Sequence, residues 1–113
     1  MLKKRVEEIL NEQLNREFYS AYLYLSMSAY FDSIDLPGFA HHMKVQYQEE
    51  MAHAIRIFNY LSNVGGRVEL KAVAQPKNVW KDIIEVFEED IKDFEDDLKD
   101  EINYKDNDEY DDE

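Results

Sequence analysis

The chain has 113 residues, 44% of them hydrophobic and 13% aromatic, which suits one domain with a core. It has no cysteine, so disulfides and thiolate metal sites are excluded and any metal site must use oxygen and imidazole. The net charge of −13 sits in one part: residues 81–113 hold 17 Asp and Glu against 4 Lys and Arg, and residues 1–80 balance 9 against 9. This argues against nucleic-acid binding, which needs clustered Lys and Arg. The start of the chain has no apolar run of signal-peptide or membrane-spanning length, so a cytoplasmic location is the default expectation.

With 3 Gly, 2 Pro and no clear period-two alternation, the pattern is all-α. A first helix is predicted over about 3–31, longer than the globular norm and suited to a long bundle. Its stripe at three-four spacing is Val6, Leu10, Gln13, Glu17, Ser20, Tyr24, Met27 and Phe31. Pro37 is placed to open a second helix over about 37–63, and the short connection makes the two helices antiparallel neighbours. The second stripe is Phe39, Met43, Gln46, Glu50, His53, Ile57 and Tyr60, apolar at both ends and polar in the middle.

Glu50 and His53 lie one turn apart on one face. A carboxylate within an apolar stripe must stay exposed, be neutralised or bind a cation, because burying it unpaired costs several kcal/mol or more. Counted from the turn at a rise of ~1.5 Å per residue, Glu17, Glu50 and His53 fall within roughly 5 Å of one height. The polar interruptions of the two stripes are therefore expected to meet.

Residues 67–81 form a link without clear period, long enough to cross to the far end of a bundle, with Trp80 expected to anchor it. A third helix is predicted over about 82–103. Its packing stripe is Ile84, Phe87, Ile91, Phe94, Leu98 and Ile102, and its other face is nearly all acid. Residues 105–113 have no apolar face and read as a disordered acidic tail beyond a domain of residues 1–104. Asp106-Asn107-Asp108 lacks the glycine and closing glutamate of a calcium loop. His41 and His42 read as surface residues, and the acidic face as a solubilising surface that would also draw in cations.

Four blocks carry a resemblance: Asn11-Glu12-Gln13-Leu14-Asn15-Arg16-Glu17-Phe18-Tyr19-Ser20, Leu36-Pro37-Gly38-Phe39-Ala40, Gln48-Glu49-Glu50-Met51-Ala52-His53-Ala54 and Gly65-Gly66-Arg67-Val68-Glu69-Leu70. In register, over residues 1 to about 88, they resemble the prokaryotic non-haem ferritins. The resemblance implies a four-helix bundle assembled into a hollow shell, with a di-iron centre that oxidises Fe(II) with O2 and stores the mineral. By position, Glu17, Glu50 and His53 match the first iron's ligands, Tyr24 the tyrosine beside the centre, and Glu49 a contributor to a third iron site. Such ligands suit iron and would also accept zinc or manganese.

The sequence departs from that pattern in its last third. Phe94 stands where the family has a third-helix glutamate, Glu95 points about 100° away, and a fourth helix is absent. One explanation pairs two hairpins about a two-fold axis, giving four carboxylates and two histidines in an even-numbered homo-oligomer. Small encapsulated ferritins resemble that scheme. The other is a truncated ferritin acting as a non-catalytic scaffold or as a co-assembly partner of full-length ferritin subunits.

Overall fold

The computed structural model describes residues 2–109, with side chains through residue 99. Three helices follow in order: α1 (Lys4–Ser33), α2 (Pro37–Asn63) and α3 (Ile83–Glu109). Both ends of the α1–α2 hairpin close alike. After α1, the Leu36 N–H bonds to the Phe31 carbonyl (2.9 Å) and the Asp35 N–H to that of Asp32 (3.2 Å), with Asp35 at φ 60°. After α2, the Gly66 N–H reaches the Leu61 carbonyl (2.8 Å) and Gly65 takes φ 78°. Gly66 has a packing reason as well, since a Cβ there would lie 2.9 Å from Leu2 Cδ2 and 3.1 Å from the Leu61 carbonyl oxygen.

α1 is the axis on which the other elements pack. Its Leu14, Ala21, Leu23, Met27 and Phe31 are buried with Ala40, Met43, Ala54 and Leu61 of α2. Fully burying each large side chain contributes about 1.5–3 kcal/mol, so this hairpin interface dominates stability. Two apolar clusters form along it, one around Leu23, Met27, Phe31, Met43, Trp80 and Val86, the other around Leu14, Ala54 and Leu61. Glu17 and Ser20 are buried on the stretch of α1 between them.

The link is held by side-chain amides in place of a sheet. Asn11 donates to the Arg67 carbonyl (2.9 Å) and accepts from the Glu69 N–H (2.7 Å). One turn later, Asn15 donates to the Glu69 carbonyl (2.9 Å) and accepts from the Lys71 N–H (2.8 Å). Alternate residues of an extended segment thus match residues four apart on a helix. At the far end Trp80 is buried as expected, its indole N–H donating to Glu89 (2.9 Å) and its carbonyl accepting from the Tyr30 hydroxyl (2.8 Å).

α3 departs from expectation. It runs to Glu109, so residues 105–109, expected in the tail, are helical; residues 110–113 lie outside the described residues. Its first turns bury Val86, with Ile83 and Phe87 partly covered. Beyond them the acidic face turns towards α1. The Tyr24 hydroxyl donates to Asp90 (2.8 Å), the Ser20 hydroxyl to Asp93 (2.8 Å), Arg16 to the Asp93 carbonyl (3.0 Å) and the Gln13 amide to Asp97 (3.0 Å).

The apolar stripe that was expected to pack is exposed: Ile84, Ile91, Phe94 and Leu98 are all open, Phe94 at 64%. The reason is that, among the described residues, α3 has one close helical neighbour, α1, and makes no close backbone approach to α2. Phe87 on the stripe does touch Phe39 of α2, with ring centroids 5.6 Å apart. The stripe therefore runs along the side of α3 turned towards α2, above a gap between them. An apolar cavity of about 520 Å³, lined by Leu36, Pro37, Phe39, His42 and Phe87, lies at one end of that gap.

Replacing Asn11 by leucine removes both clamps on the link at a buried position. The expected loss is about 1–3 kcal/mol, read from the urea midpoint, and Asn15→Leu, at a more exposed position, should cost less. Equal stability for wild type and Asn11→Leu would show that the link is held by other contacts.

Candidate metal centre

Glu17 comes from the middle of α1, and Glu50 and His53 from one face of α2. Their candidate ligand atoms all lie within 4.8 Å of one another. His53 Nδ1 is 3.7 Å from Glu50 Oε2 and 3.9 Å from Glu17 Oε2. Glu17 is buried, Glu50 half-buried, and the His53 side chain is 48% exposed. The group is thus closed on the α1 side and open on the other.

Glu50 holds its proton far above its ordinary value of 4.5, to about 9. Burial is the largest cause, followed by its hydrogen bond to Glu17, the charge of Glu17, and the charges of Asp97 and Asp93 on α3. Two carboxylates this close resist both being charged when one is buried and the other largely covered. They share a proton, or a cation replaces it. Two carboxylates and an imidazole form a hard-to-borderline donor set that fits a divalent first-row metal.

The second oxygen of Glu17 is also engaged. Gln13 Nε2 donates to Glu17 Oε1 (2.8 Å) and to Asp97 Oδ1 (3.0 Å), linking the metal group to α3. Because both acceptors are carboxylates, the amide must turn its NH₂ towards them. Gln13 Oε1 is then left buried with no hydrogen-bond partner, an arrangement that costs about 1–3 kcal/mol.

Of the other residues singled out in sequence, Tyr24 is buried on α1 and donates to Asp90. Burial first, then Asp90, Asp93 and Glu50, raise its pKa, so it keeps its proton. Glu49 is exposed and outside the clustered group, and so are His41 and His42. The acids of α3 were missed as functional candidates because they read as a solvated face. Their spacing at 90, 93 and 97, matching polar residues 24, 20 and 13 of α1, was the available signal.

A family model described as "Ferritin-like domain" matches residues 7–103. The chain is 37% identical over 91 residues to a bacterial non-heme ferritin of Staphylococcus aureus, covering 80% of this chain and 55% of that relative. A Staphylococcus haemolyticus bacterial non-heme ferritin is likewise 37% identical over 89 residues, covering 79% and 54%. Among solved structures, an open pore ferritin from the archaeon Archaeoglobus fulgidus matches with TM-score 0.88 and 44% identity, over 91% of this chain and 63% of that one. A humanized archaeal ferritin matches with TM-score 0.89 and 40% identity, over 92% and 63%. The chain therefore spans little more than half the length of these curated relatives.

The raised Glu50 pKa has a signed consequence. Between pH 4.5 and about 9 the folded chain keeps a proton that the unfolded chain has lost. The Glu50 contribution to the stability of the metal-free protein should therefore be full below pH 4.5 and be lost as pH rises towards 9. Glu50→Gln should flatten that slope in urea titrations across this range, and an unchanged slope would place the proton elsewhere.

Proposed function

Because the chain belongs to the ferritin family, we propose that it binds Fe(II) through Glu17, Glu50 and His53 and oxidises it with O2 as a ferroxidase. The observation that carries this reading is the clustering of a buried Glu17 with a proton-retaining Glu50 and with His53, whose Nδ1 lies within 3.9 Å of both carboxyl groups. Fe(II) is the substrate: its charge displaces the proton, and each iron gives one electron towards O2. Tyr24, its hydroxyl held by a hydrogen bond to Asp90, is the residue we assign beside the centre. Exposed Glu49 is our candidate for an outlying iron position. A reducing cytoplasm, where Fe(II) is available, is the setting we infer.

One chain brings two carboxylates and one histidine to a single cluster, which is half the inventory of a di-iron bundle. We infer that a second copy completes it about a two-fold axis, giving an even-numbered homo-oligomer. The open side of His53 and the uncovered apolar wall of Ile84, Ile91, Phe94 and Leu98 support that reading. A second reading, a non-catalytic scaffold or a co-assembly partner of full-length ferritin subunits, draws support from Phe94, an apolar and exposed side chain at the family's third-helix glutamate position.

Native mass spectrometry after anaerobic loading with Fe(II) should give an even-numbered oligomer with one iron per chain. Glu17→Ala and His53→Ala should then lower the rate of O2-dependent iron oxidation by at least about tenfold while leaving the oligomer intact. A monomer or irregular aggregate that retains no iron would favour the scaffold reading.

A further inference from the structure

Glu17 presents its two oxygens to different partners. Oε2 faces His53 at 3.9 Å, within the metal group, and Oε1 accepts the Gln13 amide at 2.8 Å. The same nitrogen donates to Asp97 Oδ1 at 3.0 Å, so α3 holds Gln13 and Gln13 holds Glu17. Asp97 is itself near Arg16 (Nε to Oδ1, 3.9 Å), which keeps its carboxylate on the α1 side. The arrangement leaves Gln13 Oε1 buried and unpartnered. The amide thus leaves one of its own atoms unsatisfied while serving two carboxylates, Glu17 within the cluster and Asp97 on α3.

We propose that Gln13, fixed by Asp97, is a positioning residue that holds Glu17 as a one-oxygen metal ligand, with Oε2 towards the metal and Oε1 towards α3. The proposal rests on the metal-binding reading above and extends it to a residue outside the ligand set. A carboxylate tied by one oxygen is disfavoured from chelating with both, since the tied oxygen must turn or share its lone pairs. Its free oxygen is aimed before the cation arrives, so less ordering is needed on binding. Restricting Glu17 to one oxygen beside an imidazole also turns the site away from calcium, which takes 6–8 oxygens and uses two-oxygen carboxylates. The third helix thus reaches the centre through Gln13, although Phe94 itself faces away from α1.

The test is titration of the 113-residue protein with Co(II), read by affinity and by its visible bands, with thermal unfolding of the metal-free forms beside it. Gln13→Leu removes both the bridge and the orphaned oxygen. Affinity should fall about tenfold or more and the Co(II) spectrum should change as Glu17 becomes free to chelate, while the thermal midpoint changes little, because losing the orphaned Gln13 oxygen offsets the donor lost to Glu17. Asp97→Leu should reproduce the loss of affinity and the spectral change. Asp97→Asn keeps an oxygen acceptor for the amide and should bind within about threefold of wild type. Unchanged affinity and spectrum in Gln13→Leu would overturn the proposal. So would an Asp97→Asn as weak as Asp97→Leu, since charge and not the hydrogen bond would then be at work. Wild-type protein with no Co(II) site overturns the metal-binding reading, and the proposal with it; a wild-type site untouched by Gln13→Leu overturns the proposal alone.

Discussion

A carboxylate buried in the middle of a helical hairpin is the constraint on which much of this structure turns. Glu17 lies on the face of α1 that otherwise carries Leu14, Ala21, Met27 and Phe31, and burial there is tolerable only if its charge is met. The protein meets it with a proton retained on Glu50, with His53 at 3.9 Å and with the Gln13 amide at 2.8 Å. None of these is a fixed cation. A metal bound there, as proposed, would replace the proton without first breaking a strong Lys or Arg ion pair.

The third helix follows from the same electrostatics. Its acids could have faced water, which would have left the apolar stripe to pack on α1. Instead Asp90, Asp93 and Asp97 take hydrogen bonds from Tyr24, Ser20, Arg16 and Gln13, and the stripe faces a gap beside α2. Each charge-assisted bond adds to the docking, and burial of the acids offsets part of that gain. Asp93 shows the balance: burial raises its pKa, while the Ser20 hydroxyl and Arg16 pull it down. The apolar packing of α3 on α1 is confined to its first turns around Val86, so an occupant of the gap would bury the apolar surface that α3 by itself leaves in water.

The α1–α2 hairpin was legible because several independent signals agreed along it. Pro37 opened a helix, Gly65 closed one, and the three-four stripe of α1 is buried at Glu17, Ser20, Tyr24, Met27 and Phe31. The level of Glu17, Glu50 and His53 followed from counting the rise on either side of a tight turn, and their ligand atoms do converge. The stripe of α2 was less faithful. Phe39 and Tyr60 are exposed and Ala40, Ala54 and Leu61 are buried, because the side of α2 towards α3 has no close helical neighbour. The helical residues 105–109 were missed because they carry no apolar face to count.

The sequence by itself determined the helical class, the hairpin and which side chains share one polar level, all of which depend on periodicity and rise along single helices. Only the tertiary structure decided which face of α3 meets α1. Period alone cannot choose between an apolar stripe and an acidic one when the donors that satisfy the acids lie about seventy or more residues away in the chain. Partners more than fifty residues away likewise hid the asparagine clamp on the link and the Gln13 bridge to Asp97. A side-chain amide shows its partners only once separate helices have been brought side by side.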